Sequence, residues 1–285
     1  MSTPYPPPVA RLLELGEEAV TTEWMDYREL GLGPEHVPDL VRMAAGAVLD
    51  DPEDESPVAW APMHAWRALG QLRAAEAVEP LLDVAEAIGD EIFTEPELAV
   101  VFGMIGRAAI PPLARVLADD EESQALHVLA VSGLEEIATR DPSTREEVVP
   151  LLLARMEKWE RNSEDVNAFL VDALTEMRVM EAAPLMEQAF AAGRVELLLR
   201  GDWEDVQEDL GLMEERRDRA AGPRFAGMPP ILDRFEESDF GSAPAPRTRS
   251  PDARAKKARR KQQKESRTRT RRRMCGPRRP LPRLA

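Results

Sequence analysis

The sequence predicts an all-α protein: an alpha-solenoid of stacked helical hairpins, followed by a disordered basic C-terminal tail. Three observations carry that reading. Apolar residues recur at helical spacing through most of the chain. A unit of apolar helix, short turn and second helix returns between about residues 61 and 193, with no strand-like segment in it. The charge then changes sign near residue 247.

The first element in order is Pro4-Tyr5-Pro6-Pro7-Pro8, whose fixed φ angles favour extended polyproline geometry and a mobile start. Leu12, Leu13 and Leu15 begin a helical pattern, and Trp24, Tyr27 and Leu30 follow at three-residue steps. Gly31-Leu32-Gly33-Pro34 breaks it. Val37, Leu40, Val41, Ala44 and Val48 then mark one buried helix face. The run from Asp50 to Pro57 is a polar loop by its prolines and capping residues.

Beyond the loop the chain resembles itself. Ala68-Leu69-Gly70-Gln71-Leu72 leads to Ala77–Leu82, Phe102-Gly103-Met104-Ile105 to Ala109–Leu113, Leu134–Ile137 to Val148–Leu152, and Ala173–Met177 to Ala182–Met186. Each second helix is expected to carry a proline near its start, where the missing N–H costs little. Those prolines are Pro80, Pro111, Pro150 and Pro184, at steps of 31, 39 and 34 residues. The resulting division is a helical lead-in at 1–60, a repeat array at 61–193, a helical cap and acidic linker at 194–246, and the basic tail at 247–285.

Segments such as AWRALGQLRAAEAVEPLLDVAE and VFGMIGRAAIPPLARVLADD resemble HEAT repeats of the bacterial, phycobilisome-lyase-like subtype. The chain is also similar to bacterial HEAT-repeat proteins that sometimes carry a zinc-binding SEC-C tail. The resemblance implies an array of HEAT-like helical hairpins over about 61–193, a fold that serves scaffolds, lyases and other enzymes alike. The tail departs from the SEC-C pattern, because Met274-Cys275-Gly276-Pro277 offers one cysteine without the partner ligands.

Composition narrows the function classes. The 285 residues are 43% hydrophobic, enough to bury a core. No run approaches the roughly 18 consecutive apolar residues of a membrane span, and the N-terminal residues lack a basic start and apolar core, so no secretory signal is expected. The single Cys275 permits no internal disulfide and fits a reducing cytoplasm. Residues 1–246 carry 20 basic against 51 acidic side chains, a net of −31, while residues 247–285 carry +15. The body repels nucleic acid at long range and the tail attracts it.

Candidate chemistry is sparse. His36, His64 and His127 lie in separate segments without a partner histidine at metal-ligand spacing, so no metal or cofactor is expected. Paired carboxylates at Glu17-Glu18, Asp119–Glu122 and Glu135-Glu136 read as turn and helix-start residues. Phosphate-loop and nucleophile-elbow motifs are missing. Trp66 reads as core, whereas Trp60, beside Pro57 and Pro62, is a candidate partner surface. In the tail, Arg254, Lys256, Lys257, Arg259, Arg260, Lys261, Lys264, Arg271, Arg272 and Arg273 are candidate contacts for nucleic acid or an acidic partner. The acidic body is the tail's other expected contact.

These readings point to a cytoplasmic, non-catalytic protein-interaction scaffold with a protein partner, a basic one if charge selects it. The alternative is a nucleic-acid- or ribosome-associated adaptor tethered by the tail. A bilin-lyase-like enzyme ranks last, since no residue can be singled out for that chemistry.

Overall fold

The computed structural model describes residues 5–16, 24–46, 56–89 and 94–213. The tail, with every basic residue named above, and the carboxylates Glu17, Glu18 and 50–55 lie outside them. All regular elements among the described residues are helical, and no strand is present. In chain order the α-helices are α1 (Pro7–Ala10), α2 (Val37–Gly46), α3 (Ala61–Gln71), α4 (Val78–Ile88), α5 (Thr94–Ile105), α6 (Ile110–Ala118), α7 (Gln124–Arg140), α8 (Arg145–Met156), α9 (Glu164–Glu176), α10 (Ala183–Ala191), α11 (Leu197–Arg200) and α12 (Trp203–Asp209). Single 3-10 turns precede α4, α6, α8 and α10, at Ala75–Ala77, Gly106–Ala109, Pro142–Thr144 and Met180–Ala182.

Local chemistry sets several boundaries. Ser123 and Ser163 lie just before α7 and α9, and their hydroxyls accept from the amides of Leu126 and Val166, both at 3.2 Å. Asp202 and Asp205 form a reciprocal capping box at the start of α12. The C-terminal ends of α3 and α9 close in one manner. Ala74 N–H donates to the Leu69 carbonyl and Val179 N–H to that of Leu174, at 3.1 and 2.9 Å. That closure puts Arg73 and Arg178 in the left-handed region, at φ 51° and 50°. Gly106 takes the matching joint between α5 and α6 at φ 80°.

Helices α3, α5, α7, α9 and α11 pack side by side in a row, with α2 against α3. Helices α4, α6 and α8 lie behind it: α4 touches α5 and α7, α6 touches α7 and α8, and α8 touches α9. The seam between the row and its backing is the core, where Leu69, Leu81, Leu98, Phe102, Leu113 and Leu134 are fully buried. Each such side chain stabilises the fold by about 1.5–3 kcal/mol relative to exposure. Helices α5 and α7 approach closely at Gly103, where a Cβ would sit 2.8 Å from the Glu136 Cβ. Glycine is required there by space.

Three expectations change. The polyproline lead-in stops at Pro6, which is extended at φ −63° and ψ 156°: Pro7 and Pro8 open α1, and Val9 and Leu12 behind them are fully buried. Proline fits the first helical turn, and the apolar residues that follow anchor it. Leu12 lies in a 3-10 turn (Arg11–Glu14), and Trp24 and Tyr27 lead into a 3-10 turn at Tyr27–Leu30 instead of an α-helix. Pro150 does not mark a helix start, because α8 begins at Arg145 and Pro150 lies within it. The second helices begin at Val78, Ile110, Arg145 and Ala183, at steps of 32, 35 and 38 residues.

One stretch, Pro96–Ala118, is apolar and long enough to cross a membrane by length and composition. It bends at Gly106 into α5 and α6, which bury Phe102, Ile105, Ile110 and Leu113 inside the fold.

Candidate functional site

Ion pairs between successive hairpins recur through the described residues. Arg67 on α3 joins Glu97 on α5, Arg115 on α6 joins Glu79 on α4, Arg107 joins Glu147, and Arg155 and Lys158 join Asp120. Their partners lie 30 to 40 residues apart, so each pair ties one hairpin to its neighbour. Exposed pairs of this kind add little energy, whereas Arg67 and Arg155, 0% and 5% exposed, need their carboxylates.

Three buried clusters fix the framework. In the first, Arg67 makes a two-pronged bond to Glu97 at 2.6 and 3.0 Å, and its guanidinium stacks on Trp24 at 4.7 Å. The Tyr27 hydroxyl donates to His64 Nδ1 at 2.7 Å, and His64 Nε2–H donates to the Gly16 carbonyl at 3.0 Å. A carbonyl only accepts, so the proton of the neutral ring sits on Nε2. Burial holds His64 below the usual histidine range, with Arg67 adding to the effect, and pushes the Tyr27 phenol up to about 12.

The second cluster repeats that logic. His127 Nε2–H donates to the Asp119 carbonyl at 2.8 Å, and Nδ1 faces Arg155 at 3.5 Å. Burial, then the Arg155 charge, lowers its affinity for a proton. Asp120 faces Arg155, Lys158 and Arg161, and the Lys158 hydrogen bond first of all holds its carboxyl below the usual range. In the third, Arg200 on α11 bridges Asp172 of α9 and Asp209 of α12. Burial raises the Asp172 carboxyl, and Arg200 opposes that shift.

Between the exposed edges of α5, α7 and α9 runs a groove of about 700 Å³. Ala99, Val100 and Ala138 supply its apolar floor, and Trp24 stands at the α5 side. Glu97, Glu135, Glu136 and Glu176 line it, with Arg145 and Arg178 among the other lining residues. Glu97 is held by Arg67, and Glu136 by Arg140 at 2.9 Å on its own helix. Glu176 is exposed at the end of α9. No histidine or cysteine lines the groove. Its lining combines four carboxylates, two of them already paired with arginine, with two further arginines and small apolar side chains.

The sequence-based candidates fall elsewhere. Trp60 ends the 3-10 turn Pro57–Trp60, is half-buried, and does not line the groove. Trp66 is core, with its indole N–H directed at the Ala44 carbonyl at 3.4 Å. Glu135 and Glu136 are not helix-start residues, since both lie in the body of α7. Among the described residues no group of three or more His, Cys, Asp or Glu side chains is placed to hold a metal ion.

The groove glutamates carried a usable pattern. Glu97, Glu136 and Glu176 recur at steps of 39 and 40 residues, so aligning the first helices of the repeats brings them to one edge. Comparison of the chain with protein families, with curated proteins and with solved structures finds no match, and the geometry alone carries the functional reading.

Proposed function

We propose that this chain is a non-catalytic protein-interaction scaffold: an alpha-solenoid of HEAT-like hairpins that holds a basic, partly apolar segment of a partner protein in the groove across α5, α7 and α9. The groove itself carries the reading, since it joins four glutamates and an apolar floor along three successive first helices. The net charge of −31 over residues 1–246 steers a cationic partner toward it. The hairpin-to-hairpin ion pairs support a repeat array, because they tie the α3–α4, α5–α6 and α7–α8 units to one another.

The test uses the full chain and a fluorescent peptide of alternating arginine and alanine, with a glutamate–alanine peptide as control. Anisotropy should report binding of the basic peptide alone, weakened by salt and at least tenfold weaker in Glu135→Lys/Glu176→Lys. Equal binding by both peptides, or none, refutes the reading.

The tail supports a second reading as an adaptor on nucleic acid, with 17 basic residues against two acidic ones. Binding to RNA or DNA of any sequence should then fall steeply between about 50 and 200 mM salt. Replacing Arg254, Lys256, Lys257, Arg259, Arg260 and Lys261 with serine should weaken it severalfold. Binding that ignores both salt and these replacements removes this reading.

A further inference from the structure

The N-terminal stretches 5–16 and 24–30 are anchored by buried Val9, Leu12 and Tyr27, and polar contacts with α3 fix how they sit. Gln71 clamps the backbone of one stretch, donating to the Met25 carbonyl at 2.7 Å and accepting from the Tyr27 amide at 2.8 Å. Arg11 reaches the Leu30 carbonyl at 3.4 Å and joins the two stretches. His64 sits between them, 0% exposed, with the Gly16 carbonyl on one nitrogen and the Tyr27 hydroxyl on the other.

That arrangement works for one protonation state. The Tyr27 hydroxyl hydrogen needs the lone pair on His64 Nδ1. A protonated imidazole carries a hydrogen there instead, which leaves the phenol hydrogen without an acceptor in a buried site. It also sets a second cation beside Arg67. The charged groups facing His64 are Arg67 from α3 and Glu97 from α5, and these two are paired with each other. On α2, Asp39 and Arg42 pair at 2.8 Å.

We propose that residues 5–16 and 24–30 form a strap that docks on α3 only while His64 is neutral, so that protonation of this imidazole releases the strap. Trp24 belongs to the strap and lines the groove, so release opens the α5 side of the proposed partner site. That consequence rests on the groove reading. Docking itself is measured with no partner present, so either can fail without the other.

The experiment is hydrogen exchange of the full chain between pH 7.5 and 5.5, corrected for intrinsic exchange rates. Amides in the 24–30 stretch, Tyr27 first, should lose about tenfold of their protection for each pH unit below the midpoint of His64 in the released strap, about 6.5, until the lower docked midpoint is reached. Those of α7 from Leu126 to Ile137 should keep theirs over the same range. His127→Gln should leave the strap response in place, and Tyr27→Phe should move it to higher pH, because the neutral ring loses its donor. His64→Gln should abolish it. Should His64→Gln fail to fold, an NMR titration of His64 in the unmodified chain replaces it, and its midpoint should coincide with the loss of strap protection. A strap unaffected by pH, joint loss of protection by the strap and α7, or midpoints that differ overturns the proposal.

Discussion

Arg155 of α8 lies 2.9 Å from Asp120, 35 residues earlier, and also donates to the Leu117 carbonyl at 3.1 Å. One buried guanidinium thus closes the turn between α6 and α7 from the following hairpin. Asp120→Asn should destabilise the fold more than loss of an exposed pair does, because Arg155 would stay buried without its counter-charge. Glu79→Gln, which breaks the exposed Arg115 pair, should cost less than about 1 kcal/mol. Urea denaturation at constant m-value measures both. Equal costs would show that burial of Arg155 does not matter.

Stability should fall as pH drops below about 6.5. His64 and His127 are held neutral by burial, so the unfolded chain binds protons at these sites before the folded one does. Their contribution is complete above the unfolded midpoint and is lost as pH falls toward the folded one. Melting temperatures at pH 7.5, 6.5 and 5.5 should decline in that order, and His127→Gln should flatten the decline. A melting temperature that rises on acidification contradicts the assignment. Asp141, lowered first by its Ser143 hydrogen bonds, acts in the same direction only in the carboxylate range.

Arg73 and Arg178 occupy a backbone region that glycine enters without strain. Arg73→Gly should be more stable than Arg73→Ala by about 1 kcal/mol, a comparison that removes the side-chain charge from both. Thermal melts of the two variants decide it. If the alanine variant is the more stable, helix closure at Arg73 differs from the left-handed joint described above.

Gly103→Ala should destabilise the protein by about 1–3 kcal/mol despite alanine's better helix propensity. The new methyl would lie 2.8 Å from the Glu136 Cβ and 2.9 Å from Arg140 Nε, forcing α5 away from α7. Groove dimensions depend on that spacing, so peptide affinity should fall with stability. A neutral effect on both would mean that the two helices separate freely.

The all-helical fold was legible because α3, α4 and α6 obey a 3.6-residue apolar period over nine or more residues. The lead-in was misread for a physical reason. Trp24, Tyr27 and Leu30 recur at three-residue steps, and a 3-10 turn has three residues per turn, so both helix types satisfy the spacing. Pro150 misled in another way. A proline before a helix and one inside it look alike in sequence, and Pro142 already supplies the start that α8 uses. Of the site, the glutamate register was readable from the repeat period, but the pairing of Arg67 with Glu97 was not. It joins α3 to α5 across 30 residues, and Trp24 stacks on the same guanidinium, contacts that no local pattern encodes.

The short sequence separation of the hairpin-to-hairpin ion pairs bears on how this chain assembles. Each of those pairs closes a loop of 30 to 40 residues, so no rung waits for distant parts of the polypeptide to meet. Contacts of that range keep the entropy of ordering each step small and the nucleus local. A ribosome-bound fragment that ends after α8 would already hold the Arg155–Asp120 rung, so the chain can gain structure as it emerges.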